Sequence, residues 1–185
     1  SKLFNAGTVD EKIALSDINL QLAPGDFVTI IGSNGAGKST LMNIVSGVLL
    51  PDEGKVYIEG REVQSMPEHL RSAWIGRVFQ DPMAGTAPSM TIMENLSLAW
   101  SRGKGRGLLL GVSRSRKNFF REQLQRLGLG LEDRLNAKVG LLSGGERQAL
   151  SLLMATFTQP SILLLDEHTA ALDPARAELI TRLTK

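Results

Sequence analysis

The segment with the most distinctive chemistry is glycine-rich and ends in lysine and serine. Residues 32–39 read Gly-Ser-Asn-Gly-Ala-Gly-Lys-Ser and fit the pattern G-x-x-x-x-G-K-[ST] of a phosphate-binding loop. Glycines permit the tight turn that brings backbone N–H groups onto phosphate oxygens, and a following helix adds free donors and a positive dipole end. Lys38 is expected to supply a charge for β- and γ-phosphates, and Ser39 a hydroxyl for Mg²⁺.

Two adjacent carboxylates follow an apolar run late in the chain. Leu163, Leu164 and Leu165 precede Asp166 and Glu167. This pattern predicts that the pair lies at the carboxyl end of a buried strand, where ligands bind in open α/β sheets. Because side chains alternate along a strand, the two carboxylates point in different directions. We expect Asp166 to hold the Mg²⁺ shell and Glu167 to act as a general base on an attacking water.

A third segment, residues 142–148, reads Leu-Ser-Gly-Gly-Glu-Arg-Gln. Ser143 with Glu146 three positions later forms the sequence pattern of a capping box, so a helix is predicted to begin here. The two glycines between them leave the first N–H groups of that helix bare, an arrangement that suits an anion.

The elements that must position these segments alternate between strands and helices. Short apolar runs predict strands, and amphipathic spacing predicts helices. The predicted strands are Phe27–Ile31 (buried), Lys55–Glu59, Trp74–Phe79 and Ser161–Leu165; the predicted helices are Ser39–Val48, both ends of 91–127, and one opening at Ser143. This alternation predicts an α/β fold with a mainly parallel sheet.

Composition sets the limits of the interpretation. The chain has 185 residues, of which 22% are charged and 42% hydrophobic, with a net charge of +2, as is typical of one globular domain or one domain with a small annex. It has no cysteine, which excludes disulfides, thiolate zinc sites and cysteine nucleophiles. No apolar run approaches the roughly 20 residues of a membrane span, and no signal-peptide core follows Ser1. We therefore expect a soluble protein that reaches a membrane only through partners.

One stretch is strongly basic. Residues 101–121 contain seven basic residues and no acidic one, although the whole chain has 21 basic and 19 acidic residues. Two interpretations stay open: a solvated surface loop, or contact with an anionic surface or acidic partner. Nucleic acid is not expected, because glycine and leucine separate the charges instead of aromatic residues that would stack on bases.

Together these segments resemble the ATP-binding cassette (ABC) family, the motor subunits of ABC transporters. The resemblance rests on residues 32–39, Gln80, the signature of residues 142–146, Asp166-Glu167 and residues 171–173 (Ala-Leu-Asp), which occur in the family's order. It implies a P-loop NTPase fold with a mainly parallel sheet, an N-terminal antiparallel β part and a helical insertion. The implied domains are an ATP-binding core of residues 1–90 and 137–185, and an inserted helical subdomain of residues 91–136 that contacts transmembrane subunits.

The resemblance also implies a composite site, in which two copies pack head to tail with ATP between them. It implies catalytic roles for Glu167 and Gln80, and magnesium contacts from Ser39, Gln80 and Asp166. Phe4 stands where the family's adenine-stacking aromatic lies, and a core position is the alternative. Ala171 stands where serine is usual. The residues expected to contact ATP are Phe4, Gly32, Ser33, Asn34, Gly35, Ala36, Gly37, Lys38, Ser39, Thr40, Ser143, Gly144, Gly145 and Glu146.

The implied protein is an ATPase that couples dimerisation to solute transport, attached to the cytoplasmic face of the membrane. Its implied partners are permease subunits and a separate solute-binding protein, with no nucleic acid. Residues 85–88 and 166–174 resemble a bacterial importer subgroup linked with amino-acid uptake, such as tryptophan or tyrosine. The alternatives are a soluble ABC-type ATPase in translation or DNA repair, and a nucleotide-gated binding module without turnover.

Two family features are missing from the sequence. The switch histidine is expected beyond Lys185, since His69 comes too early and His168 is interpreted as structural, and most of the first strand is expected before Phe4. We therefore expect a sequence truncated at both ends, which binds ATP better than it hydrolyses it.

Overall fold

The computed structural model describes residues 1–81, 83–103 and 114–166. The chain divides into two compact units, Ser1–Ser72 and Ala73–Lys185. The described strands and helices are β1 (Lys2–Phe4), β2 (Lys12–Leu15), α1 (Lys38–Ser46), β3 (Tyr57–Ile58), β4 (Arg61–Glu62), α2 (Glu68–Arg71), β5 (Ile75–Val78), α3 (Ile92–Trp100), α4 (Arg114–Gln125), α5 (Gly144–Thr156) and β6 (Ile162–Leu165), with 3₁₀ turns at Leu131–Asp133 and Val139–Leu141.

The first unit opens with an antiparallel strand pair, as the family resemblance implies. In β1 and β2, Leu3 pairs with Ile13 and Phe4 pairs with Lys12. The start of β1 is also anchored to Asp52, whose carboxylate lies 2.7 Å from Lys2 Nζ and accepts a hydrogen bond of 2.6 Å from the Leu3 amide. These two contacts lower the pKa of Asp52, first through the Lys2 hydrogen bond and then through the Leu3 amide.

Helix α1 confirms the predicted helix after the glycine-rich segment. It starts directly after Gly37 and ends at Gly47, and both glycines have left-handed backbone angles, with φ of 88° and 90°. The Gly47 amide donates to the carbonyls of Asn43 and Ile44, which closes the last turn. A glycine is needed at both ends because other residues rarely adopt this conformation.

Arg71, at the end of α2, is a fully buried cation that holds the carboxyl end of α1. Its guanidinium donates to the carbonyl oxygens of Ile44 at 2.8 Å, Val45 at 3.1 Å and Met66 at 3.0 Å. The last carbonyls of a helix have no partner inside the helix, and the dipole there is negative. Arg71 therefore fixes the far end of the helix that starts at the glycine-rich loop.

Two strand predictions in this unit need correction. Residues 27–31 form no strand and pair with neither of the antiparallel pairs within residues 1–72, and Phe27 and Ile31 are 67% and 90% exposed. An apolar run becomes a buried strand only where neighbouring strands accept its backbone hydrogen bonds and other elements cover its faces. The predicted strand 55–59 is shortened to β3, because a two-residue turn with φ of 51° at Glu59 and 73° at Gly60 folds β4 back onto it.

The second unit contains the parallel strand pair that the sequence predicts. Strands β5 and β6 run parallel, with Ile75 opposite Ile162 and Val78 opposite Leu165. Helix α5 approaches β5 closely at Gly76, where a Cβ would stand 2.5 Å from the Ala155 carbonyl oxygen. A side chain at this position would separate the helix from the strand pair.

Helices α3, α4 and α5 pack over these strands around one apolar cluster. Phe120, Leu124 and Leu127 are buried in it, and the Phe120 ring stacks on Phe157 at 5.8 Å between centroids. Two of the basic side chains in residues 101–121 also have intramolecular contacts. Arg102 Nη2 donates to the Met154 carbonyl, and the Arg116 guanidinium lies 4.4 Å from the centre of the Trp100 ring.

Among the residues that the structure describes, none of the helices combines the length and the apolar character that a membrane span requires.

Replacing Arg71 with methionine should destabilise the protein by about 2–3 kcal/mol, because three carbonyl oxygens lose a charged donor in a buried position. Urea unfolding followed by circular dichroism measures the change. The exposed Arg126, on the segment after α4, provides a matched control, and Arg126→Met should change the free energy of unfolding by less than about 0.5 kcal/mol. Equal effects of the two substitutions would contradict the role given to Arg71.

Candidate nucleotide-binding site

The glycine-rich loop adopts an exposed, turned conformation that leads directly into α1. Residues 32–36 are exposed, Gly35 has a φ of 82°, and the Ala36 amide donates to the Ser33 carbonyl at 3.2 Å. Gly37 is buried against β2, since a Cβ there would overlap the carbonyl oxygen of Ala14. The loop therefore presents its backbone outward while its last glycine fastens it to the strand beneath.

The start of α1 has the features of an anion-binding helix end. No side chain caps it, and its first turn contains no acidic residue. The first N–H groups of a helix have no partner within the helix, and the dipole is positive there. This end of α1 therefore offers bare donors to a negative group approaching the exposed loop.

Lys38 bends back over the loop that precedes it. Its Nζ donates to the carbonyl oxygens of Gly32 at 2.7 Å and Ser33 at 2.8 Å. An ammonium has three donors, so these two contacts fix the charge at the loop and leave one donor for a phosphate oxygen. The half-buried Ser39 and Thr40 follow in the first turn.

Phe4 and a second lysine lie on the strand pair next to the loop. Phe4 ends β1, and its cross-strand partner is Lys12, the first residue of β2. Lys12 Nζ lies 3.4 Å from the point where a Cβ of Gly35 would stand. Lys2 Nζ lies 5.7 Å from the centre of the Phe4 ring, a cation–π distance. Phe4 is half-buried, so part of its ring remains accessible.

In the second unit, Gln80 and Asp166 lie beyond the same end of the parallel pair. Asp166 directly follows β6, and its amide donates to the Val78 carbonyl of β5 at 3.0 Å. The exposed Gln80 comes two residues after the end of β5. Because the strands are parallel, their carboxyl ends meet at one edge, which is where Asp166 was predicted to lie.

Asp166 forms an ion pair with Arg77 of β5. Arg77 Nη2 lies 3.2 Å from Asp166 Oδ2, and the two side chains are only 13% and 17% exposed. The guanidinium also lies 4.7 Å from the centre of the Phe79 ring. Arg77 therefore orients the Asp166 carboxylate from the neighbouring strand.

The loop after Gln80 is hydrogen-bonded to the segment before α5. The buried Asn95 of α3 accepts from the Ala87 amide at 2.7 Å and donates to the Ala87 carbonyl at 3.0 Å. On the other side of the loop, the Gly140 amide donates to the Pro88 carbonyl and the Val139 amide to the Met90 carbonyl. The backbone at residues 87–90 is therefore fixed both to α3 and to the chain that enters α5.

Residues 143–146 form the start of α5, as the sequence predicts. The Ser143 hydroxyl accepts from the Glu146 amide, and the Glu146 carboxylate accepts from the Ser143 amide at 2.7 Å, which completes the capping box. Ser143, Gly144 and Gly145 are exposed, and a Cβ on either glycine would have no neighbour within 4 Å. The first N–H groups of α5 are therefore accessible to a molecule outside the chain.

Glu146 is held in its ionised form by this arrangement. The Ser143 amide hydrogen bond lowers the pKa of Glu146 most, followed by the Ser143 side chain and then Arg134, whose Nη1 lies 2.7 Å from Glu146 Oε1. The carboxylate thus stabilises the helix start and is itself stabilised by it.

Several predicted residues lie outside the described residues: Glu167, His168 and the Ala171–Leu172–Asp173 segment. Conversely, the sequence analysis did not single out Lys12 or Arg77. A sequence signal existed for Arg77, because a cation interrupts the otherwise apolar stretch from Ile75 to Val78. No motif includes Lys12, which is brought to the loop only by the strand pairing.

Comparisons with known proteins identify the family. The profile of the ABC transporter family matches residues 15–170. The tyrosine transport ATP-binding protein of Clostridioides difficile strain R20291 is 42% identical over 187 residues, covering 100% of this chain and 73% of that protein. The methionine import ATP-binding protein MetN 2 of Enterococcus faecalis strain ATCC 700802 / V583 is 36% identical over 181 residues, covering 96% of this chain and 50% of that protein.

Among solved structures, the ATP-binding cassette MJ0796, in a dimeric post-hydrolysis state bound to ADP and phosphate, is similar in fold and sequence. The TM-score is 0.79 and the identity is 33%, covering 98% of this chain and 77% of that one. The chain therefore belongs to the ABC transporter family and has the P-loop NTPase fold of its cassettes. It is an ATP-binding, ATP-hydrolysing subunit of this class, and the relatives' transport names do not favour a soluble ATPase of translation or DNA repair.

Substituting Glu146 with glutamine should produce a pH-dependent loss of stability. Glutamine can keep the capping hydrogen bonds but not the charge. A carboxyl whose pKa is lowered on folding stabilises the fold above its ordinary value of 4.5, and this contribution disappears as the pH falls through the lowered pKa. At pH 7 the variant should unfold about 1–2 °C below the parent, and this difference should shrink as the pH falls below 4.5 and through the lowered pKa of Glu146. Thermal melts between pH 3 and 7 measure the difference in melting temperature. A difference that does not change with pH would show that the charge of Glu146 plays no part.

Proposed function

We propose that two copies of this chain pack head to tail and bind two ATP molecules between them. In each site, the phosphate loop and Phe4 of one copy hold the nucleotide from one side. Ser143, Gly144, Gly145 and Glu146 of the other copy approach its phosphates from the opposite side. ATP binding then closes the pair and hydrolysis opens it, because the nucleotide bridges the two surfaces only while its full triphosphate is present.

The observation that supports this proposal most directly is that two helices of the described part of the chain begin next to exposed glycines and leave first-turn amides open. Helix α1 starts after an exposed glycine-rich loop with no side-chain cap, and α5 starts at the exposed glycines 144 and 145. Each presents backbone donors and a positive dipole end to an anion. The triphosphate of one nucleotide offers enough oxygens for both, provided that the second helix start comes from a neighbouring molecule.

The proposed chemistry assigns separate tasks to the residues of the site. Lys38 and the first amides of α1 neutralise and position the phosphates, including Thr40 beside the α-phosphate. Glu167 takes a proton from the attacking water, an effect worth about 10²–10⁴-fold in rate, and Gln80 positions that water. Ser39, Gln80 and Asp166 offer only hydroxyl, amide and carboxylate oxygens, a donor set that suits Mg²⁺. The bound ion would neutralise charge on the phosphates.

We further propose that the protein works at the cytoplasmic face of the membrane together with permease subunits. Residues 91–136 contact these subunits. They form a helical subdomain inserted into the ATP-binding core of residues 1–90 and 137–185. A solute-binding protein delivers the cargo, and the class of cargo is amino acids. The relatives named for tyrosine transport and methionine import support this cargo class. Measuring uptake of labelled amino acids by cells with and without the subunit tests the proposal, and unchanged uptake of tyrosine, tryptophan and methionine would contradict it.

Lys38→Ala should weaken ATP binding by roughly 10- to 100-fold, since a charge-assisted contact to the phosphates is lost. Isothermal titration with ATP measures the affinity. Lys55→Ala is the matched control, because Lys55 is an exposed lysine of the same unit that pairs with Glu62 at 2.8 Å. Unchanged affinity in the Lys38 variant would remove the phosphate-loop assignment.

Glu167→Gln should leave ATP affinity unchanged and lower turnover by at least about 10²-fold, because the amide cannot accept the proton of water. The variant should therefore accumulate as an ATP-bound dimer, detected by size-exclusion chromatography with ATP. Glu122→Gln, at an exposed position of α4, is the control and should behave like the parent. A Glu167 variant that hydrolyses ATP at the parental rate would show that another group is the base.

A further inference from the structure

We propose that Lys12 is a second phosphate-binding cation of the nucleotide site, placed between the base-binding aromatic and the phosphate loop. The inference rests on the proposed binding of a nucleotide by residues 32–39. It goes beyond that proposal, because the phosphate-loop pattern contains a single lysine and does not extend to residue 12.

The pairing of β1 with β2 gives Lys12 its position. Lys12 is the directly opposed partner of Phe4, and opposed residues of an antiparallel pair project from the same face of the sheet. At the other end of the same side chain, Nζ lies 3.4 Å from the ideal Cβ position of Gly35. One lysine therefore connects the residue proposed to stack on the base with the loop proposed to hold the phosphates.

Lys12 is also a cation to which the described part of the chain gives no anionic partner. Two of the three other lysines of this unit pair with a carboxylate, Lys2 with Asp52 and Lys55 with Glu62, and Lys38 bonds to backbone carbonyls. The neighbouring Glu11 carboxylate is turned away and accepts from the Gly7 amide at 2.7 Å. Among residues 1–81, 83–103 and 114–166, none forms a salt bridge with Lys12, whose side chain is exposed.

Two ammonium groups therefore stand at one exposed loop. Lys38 Nζ is bonded to the carbonyls of Gly32 and Ser33, and Lys12 Nζ lies at Gly35. The two ammonium groups repel each other, and an anion bound between them attracts both. Since Lys12 approaches from the side of Phe4, the chemistry that it fits is the part of the polyphosphate nearest the ribose, common to ATP and ADP.

Titration of the full-length protein with ATP, ADP and adenosine tests this placement. Lys12→Gln should raise the Kd for ATP and for ADP by a similar factor of about five and leave adenosine binding unchanged. Lys12→Arg should restore most of the affinity because it keeps the charge. The parent should lose ATP affinity with added salt more steeply than the Lys12→Gln variant, since exposed ionic contacts are screened. Lys55→Gln, which removes an exposed lysine elsewhere in the unit, should match the parent.

Two side chains of different shape control for a folding defect. Lys12→Gln and Lys12→Met should lose the same fraction of ATP affinity, and both should melt at the temperature of the parent. Unchanged ATP affinity, failure of arginine to rescue, or an equal loss for adenosine would overturn the role of Lys12. Lys38→Ala, titrated in parallel, separates the two hypotheses. If Lys38→Ala weakens ATP binding and Lys12→Gln does not, only the proposed role of Lys12 fails. If Lys38→Ala binds ATP as tightly as the parent, the proposed nucleotide site fails.

Discussion

The site depends on one constraint: the first amides of an α-helix cannot be satisfied by the helix itself. The chain meets this constraint in two different ways. At α5, Ser143 and Glu146 take up part of the demand through a capping box, and the Ser143 hydrogen bonds, followed by Arg134, lower the pKa of the Glu146 carboxyl. At α1 there is neither a side-chain cap nor an acidic residue in the first turn, so no side chain among the described residues takes up this demand. Of the two helix starts, α1 therefore leaves more of its first amides to an anionic ligand.

The second unit joins residues 85–90 to the signature helix α5 by hydrogen bonds and close packing. Asn95 ties the loop at Ala87 to α3, while Pro88 and Met90 accept hydrogen bonds from the chain that leads into α5. Close packing also ties this loop to α5, because a Cβ at Gly85 would stand only 2.8 Å from Ser151 Oγ of α5. A displacement of residues 85–90 must therefore move α5 or break these contacts.

The sequence predicts those features that are determined locally. Capping residues and apolar periodicity located α1 and α5, and β-branched or leucine-rich runs located β5 and β6 and their parallel pairing. Features that depend on distant partners were not predictable in this way. The apolar character of residues 27–31 indicated a buried strand, but burial requires neighbours on both edges and both faces, and local composition cannot specify them. Arg77 was missed because its partner Asp166 lies 89 positions along the chain.

The arrangement of Lys38 explains why a flexible cation can serve a site that must bind and release its ligand repeatedly. A free lysine loses up to about 2 kcal/mol of side-chain entropy when it is immobilised. Here the carbonyls of Gly32 and Ser33 already hold two of the three ammonium donors. Much of this entropy is therefore lost on folding rather than on binding, and a phosphate oxygen meets a positioned charge. Because these carbonyls belong to the glycine-rich loop itself, the turn at Gly35 and Gly37 fixes the position of the charge relative to the loop backbone.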